Sequence, residues 1–231
     1  MRNVRSINLT QALIEKHSLS TMPPPPDALF WTMWNACTDI AAQALQAPFI
    51  QGIGSGMLDP VKYGAFNVSD AYYCFNGAED YLIAESQATD QTLKMFLLQK
   101  YEGYNKYNQT FPQIWHIRDA SGVVPIPVCK EYAQFESDVA SHQNPIYCLI
   151  TMIPCEYLWN WLASQLPQPS PQNLYGEWIT SNNDPSGAFA MGNFLNDFMQ
   201  KNPRSVDPIQ AINLYKTAMS YEQQNFFAAT G

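Results

Sequence analysis

Residues 59–86, DPVKYGAFNVSDAYYCFNGAEDYLIAES, decide the fold of this chain. Aspartate accepts from the free N–H groups that open a helix, and proline in the next position loses nothing by lacking a donor, so Asp59-Pro60 predicts a helix start. From there Tyr63, Phe66, Asp70, Tyr73, Gly77 and Tyr81 step by three and four, the period of one helix face. Asp70 stands where a hydrophobe belongs.

The same punctuation recurs along the chain. Asp184-Pro185 and Asp207-Pro208 each precede a helical pattern, Asn144-Pro145 repeats the device, and the run Pro23 to Pro26 ending at Asp27 leads into the first long helix. That helix carries Leu29, Met33, Trp34, Cys37, Ile40, Ala44 and Leu45 at helical spacing, and Pro48 is expected to end it. Gln51 to Leu58, with three glycines, reads as a tight interhelical turn. It follows a helix and not a strand, which argues against a phosphate cradle. Further helices are expected over Asp59 to Ser86, Asp90 to Asn108, Val128 to Ser141, Pro145 to Leu166, Leu174 to Ile179, Ala188 to Gln200 and Asp207 to Ala228. An irregular stretch, Phe111 to Pro127, separates two of them. With no strand alternation and no internal repeat, the architecture is all-α, helix packed on helix, in one domain over 27–231 behind an N-terminal extension, 1–26.

Composition narrows the partners. The 231 residues are 46% hydrophobic, enough to bury one large core. Twelve Lys and Arg against twenty Asp and Glu leave a formal charge of −8 with no basic stripe, so nucleic acid is not an expected partner. Met1 to Ser20 has neither the apolar run of a signal peptide nor the length of a membrane span, and a cytoplasmic protein with no membrane partner is expected. The five cysteines form no C-x-x-C pair and fit reduced thiols. Cys37, Cys74, Cys129 and Cys148 read as small core hydrophobes.

Following each buried face exposes further misfits. On the last helix the stripe is Ile212, Tyr215, Met219, Glu222, Phe226, and Glu222 is the odd residue. On the Val128 helix it is Val128, Tyr132, Phe135, Val139, which turns Tyr132 inward. On the Pro145 helix Cys148, Met152, Cys155, Leu158 or Trp159, and Leu162 face inward, with Pro154 loosening the turn beside Cys155. A carboxylate buried without a partner costs several kcal/mol, so Asp70 and Glu222 must be hydrogen-bonded, protonated or turned to a ligand. A structural tie to a neighbouring tyrosine or helix cap explains such a residue about as well as catalysis does.

Five blocks in order carry a family resemblance. APFIQGIGSGML (Ala47 to Leu58) with VSDAYY (Val68 to Tyr73), Pro127 with Tyr132, Ile153-Pro154-Cys155 with Tyr157, Leu158 and Trp159, Tyr175 to Ile179, and Ser220-Tyr221-Glu222 together resemble the TenA/thiaminase II family over roughly Phe30 to Ala229. The resemblance implies a haem-oxygenase-like helical bundle, assembled as a homotetramer or dimer, with no metal or organic cofactor. It implies hydrolysis of a small aminopyrimidine in thiamin salvage. Cys155 would be the nucleophile, Glu222 and Asp70 the catalytic carboxylates, and Tyr73, Tyr132 and Trp159 the substrate-binding walls. The chain departs from the family pattern at Ala47, Trp159, Asn182 and Asn225, which puts the substrate in more doubt than the reaction class.

Two other functions compete. A di-iron oxidase of this fold needs several histidines paired with carboxylates. The chain has only His17, His116 and His142, and Asp138 with His142 is the one ligand-like pair, best read as surface. A binding or regulatory protein that keeps the pocket without turnover is the second alternative.

Overall fold

The computed structural model describes residues 22–231, and among these there are helices and no strand. We number the helices α1 (Leu29–Asn35), α2 (Thr38–Leu45), α3 (Pro48–Ser55), α4 (Pro60–Gln87), α5 (Gln91–Asn108), α6 (Thr110–Ile114), α7 (Pro127–His142), α8 (Ile146–Gln165), α9 (Gly176–Asn182), α10 (Ser186–Lys201) and α11 (Pro208–Ala228). A single 3-10 turn, Ala120–Gly122, lies between α6 and α7.

The aspartate punctuation is realised in the caps. Asp59 accepts from the Val61 N–H, Asp90 from Thr92 and Leu93, and Asp207 from Ile209. Asp184 accepts from Ser186 and Asn144 from Ile146 in the same way. Each satisfies donors that the first helical turn leaves free.

The N-terminal third differs from the sequence expectation. The first helix breaks at Ala36 and Cys37 into α1 and α2. Pro48 starts a helix and does not end one, because it occupies the first position of α3, where its missing N–H is no loss. The glycines of Gln51 to Leu58 therefore lie mostly inside α3. A Cβ on Gly54 would sit 2.8 Å from Leu166 Cδ2, so glycine there permits close packing onto the end of α8. Gly56 ends the helix at φ 73°, the left-handed conformation that glycine adopts without strain. The stretch expected to be irregular holds α6 and the 3-10 turn.

Of the expected N-terminal extension 1–26, residues 1–21 lie outside the described residues. Pro24 is buried, and its carbonyl accepts from Trp31 Nε1 at 2.9 Å, so this part of it packs with the bundle.

Helix α8 is the axis. It packs against α2, α4, α7, α9, α10 and α11, and Ile146 through Pro154 are buried without interruption. A helix apolar all round belongs in the middle of a helical protein. It runs unbroken through Pro154. Around it one large core forms, and a smaller one (Ala71, Tyr73, Cys74, Phe111, Cys129, Tyr132) fills the space between α4, α6 and α7.

Candidate active site

A cavity of about 1160 Å³ opens beside the middle of α8. Its walls come from α4 (Asp70, Tyr73), α5 (Lys100, Tyr104), α8 (Cys155, Trp159) and α9 (Trp178, Asn182). Of the residues singled out in the sequence, Asp70, Tyr73, Cys155 and Trp159 line it. Tyr132 and Glu222 do not; they are 1% and 2% exposed and lie behind the wall.

Asp70 is half-buried and faces this space from α4. Burial lifts its carboxyl to about 7, partly offset by a hydrogen bond from the Cys74 thiol one turn along. Removing a carboxylate from water disfavours its charged form, so at neutral pH Asp70 exchanges a proton readily. Cys155 is the one cysteine of the five that is not fully buried. Its Sγ donates to the Met152 carbonyl at 3.0 Å and lies 3.1 Å from the Tyr104 hydroxyl. Burial, followed by the neighbouring carboxylates Glu156, Glu136 and Glu222, pushes the thiol well above its ordinary value.

Trp159 forms the partition. Its indole Nε1 donates to Glu222 Oε2 at 3.0 Å, and its ring stands among Trp178, Phe66 and Phe226. Glu222 is lifted to about 8 by burial, an effect the bonds from Trp159 and Tyr132 reduce and the Asp70 carboxyl adds to.

Next to Tyr73 the structure brings in a residue that the sequence reading missed. Tyr73 donates to Glu136 Oε1 at 3.1 Å, and its hydroxyl is 3.4 Å from that of Tyr132, with the two rings stacked at 4.8 Å. Glu136 is 1% exposed, its Oε2 has no partner, and burial together with the Asp80 and Glu222 carboxyls holds it well above the usual range. The buried face of α7 is Cys129, Tyr132, Ala133, Glu136, Val139 and Ala140, which keeps Tyr132 and Val139 of the expected stripe but has Cys129 and Glu136 where Val128 and Phe135 were expected. Counting four on from Tyr132 finds Glu136. Asp80 is a second such residue, three on from Gly77; it is buried and accepts from Ser137 at 2.7 Å.

The altered family positions divide between the two sides. Trp159 and Asn182 line the cavity, whereas Asn225 and Ala47 are buried away from it. Asp138 and His142 are exposed and engaged elsewhere: His142 Nδ1 meets the Asp138 backbone carbonyl, and the Asp138 carboxylate accepts from Gln134. Among the described residues no group of three or more His, Cys, Asp or Glu is disposed to hold a metal ion. No helix among them is long and apolar enough to cross a membrane.

The chain superposes on a TenA homologue from P. horikoshii with a TM-score of 0.74 at 16% identity, covering 87% of this chain and 98% of the other. The fold is that of the TenA homologues. A protein of a Silicibacter species described as a TenA family transcription regulator gives a TM-score of 0.73 at 16% identity, covering 88% and 97%. One from Sulfolobus solfataricus described as a TenA-like thiaminase gives 0.65 at 14% identity, covering 86% and 93%. No family model matches the sequence, and no curated protein matches it. At these identities the likeness to TenA proteins is one of fold.

Proposed function

We propose that the chain is an enzyme of the TenA type that hydrolyses a small aminopyrimidine through Cys155. The observation that carries this reading is the placement of Cys155 and Asp70, from separate helices, on the wall of one cavity within a TenA fold. The Sulfolobus protein of the same fold is described as a TenA-like thiaminase, which supports the reaction class.

The chemistry follows from the two side chains. The Cys155 sulfur adds to an electron-poor ring carbon and forms a C–S bond, while Asp70 gives its proton to a ring nitrogen and recovers the thiol proton. A carboxyl near 7 suits that exchange. Collapse of the adduct breaks the exocyclic C–N bond; the electron pair leaves with nitrogen, which takes a proton and departs as ammonia. Water adds at the methylene carbon, the C–S bond breaks, and the thiol is restored. The net change is aminomethyl plus water to hydroxymethyl plus ammonia.

Glu222 acts here through Trp159. Its carboxyl fixes the indole that forms one wall of the pocket, and Tyr132 supports Tyr73 from behind, so both are positioning residues in this scheme. Direct contact of Glu222 with substrate would require Trp159 to turn away. No cofactor enters the reaction as written. A role in thiamin salvage and a homo-oligomeric assembly belong to the same reading.

A second reading, a pyrimidine-binding regulator without turnover, draws on the tie between Trp159 and Glu222, which withholds one acid from the cavity. The description of the Silicibacter protein as a transcription regulator points the same way, although a charge of −8 disfavours direct DNA contact. Incubation with an aminomethylpyrimidine separates the two. The enzyme reading expects ammonia and the hydroxymethyl product from the native chain and none from Cys155→Ala; saturable binding with no ammonia from either would favour the regulator.

A further inference from the structure

Cys155 has two hydrogen-bond contacts, and a thiol has one hydrogen. That hydrogen is directed at the Met152 carbonyl, 3.0 Å away on the preceding turn of α8. The Tyr104 hydroxyl, 3.1 Å from the same sulfur, must therefore be the donor of the second bond. Burial keeps the Tyr104 phenol well above its ordinary value, so the donor stays protonated.

The approach of Tyr104 is built into the neighbouring helix. Tyr104 belongs to α5, and its ring crosses α4 at Gly77, where a Cβ would sit 3.1 Å from Tyr104 Cε1. The Tyr81 ring meets Tyr104 edge-on at 5.3 Å and 73°, fixing its tilt. Glycine inside a long helix is disfavoured relative to alanine. Its presence there leaves the space through which a residue of α5 reaches a sulfur on α8.

We propose that Tyr104 is a catalytic residue of this site, a hydrogen-bond donor that holds the Cys155 sulfur in place and stabilises it as negative charge develops there. The proposal rests on the reading of Cys155 as nucleophile. The groups facing the sulfur otherwise oppose a charge on it or are neutral: Glu156 on its own helix, Glu136 and Tyr132 on α7, Glu222 and Tyr215 on α11, and Tyr73, Cys74 and Tyr81 on α4. Lys100 of α5 is tied to Glu156 at 2.9 Å. A bond from a neutral hydroxyl to a thiol strengthens when the sulfur becomes anionic, which favours the reactive form over the resting one.

The test follows alkylation of Cys155 by iodoacetamide across pH, read on the Cys155 peptide by mass spectrometry, in the full chain. Tyr104→Phe keeps the ring and removes only the hydroxyl. It should move the midpoint of alkylation up by about one pH unit, equivalent to roughly tenfold slower reaction at a fixed pH below the midpoint. Gly77→Ala, which crowds the ring without touching sulfur, should move it in the same direction and carries the test if Tyr104→Phe does not fold. Tyr81→Phe, whose hydroxyl lies near Cys155 but makes no hydrogen bond, should shift the midpoint much less than Tyr104→Phe does. A folded Tyr104→Phe with an unchanged profile would overturn the proposal, and so would a Tyr81→Phe shift as large as that of Tyr104→Phe. Because alkylation needs no substrate, a native chain that releases no ammonia but shows the Tyr104→Phe shift would count against the aminopyrimidine reading and in favour of this bond.

Discussion

On the cavity side of Trp159, Asp70 and Cys155 are half-buried and each is held by a neighbouring side chain, Asp70 by the Cys74 thiol and Cys155 by Tyr104. Away from the cavity lining, Glu136 and Asp80 are 1% exposed and each keeps one carboxyl oxygen without a partner, while Glu222, bonded by Trp159, is 2% exposed. Both sides lift the carboxyls above the ordinary range through burial. What separates them is access. An acid with a raised pKa exchanges protons with a ligand only where the ligand can reach it; the Trp159 indole bonds Glu222 from the cavity wall, and Tyr73 bonds Glu136 from the same wall. Glu136 is strongly perturbed and yet does not line the cavity, so perturbation by itself does not single out a group open to a ligand.

That division can be broken by substitution. The largest effect is expected at the nucleophile: Cys155→Ala should lower ammonia release by roughly 10³-fold or more with the fold intact by circular dichroism, since it removes the sulfur proposed to form the covalent adduct. Next comes Asp70→Asn, expected to lower kcat by about 10²-fold or more and to remove a limb of the pH–rate profile near 7. Glu222→Gln should cost about tenfold, expressed mainly in KM, because the amide oxygen can still accept from Trp159. Equal losses in kcat for Asp70→Asn and Glu222→Gln would erase the distinction between the two sides.

The smallest effect is on stability, and its sign follows from the raised carboxyls. The unfolded chain releases these protons near 4, whereas the folded chain keeps them to about 7 at Asp70 and Asp80 and to about 8 at Glu222. Between those limits the folded state binds more protons, so stability is highest at the acidic end of the window and falls as pH rises through it. Asp70→Asn should raise the melting midpoint at pH 8 by roughly 2–4 °C and change it little at pH 5. A rise of the same size at both pH values would mean that Asp70 does not titrate in this range.

The fold was legible because its punctuation is local. Asp59, Asp90 and Asp207 cap the helices they precede, and these signals involve only the residue and the next turn. Pro48 was misread because proline serves equally after one helix and at the first position of another, and only the packing of α3 on the end of α8 selects between them. The candidate site was legible in part: Asp70, Tyr73, Cys155 and Trp159 all sit on the cavity. Glu136 was hidden because the expected stripe stepped from Tyr132 to Phe135, and the helix outer face is also polar. Tyr104 gave no signal, because its function depends on the space over Gly77 in another helix. The screening of Glu222 depends on the side-chain orientation of Trp159, which no spacing rule encodes.

The most direct test of the account is a crystal structure with the hydroxymethylpyrimidine product soaked in. The account predicts density for the ring between Cys155 Sγ and the Asp70 carboxyl, with Trp159 still bonded to Glu222. Density elsewhere in the cavity, out of reach of both Cys155 and Asp70, or a ring held directly by Glu222 with Trp159 displaced, would contradict it.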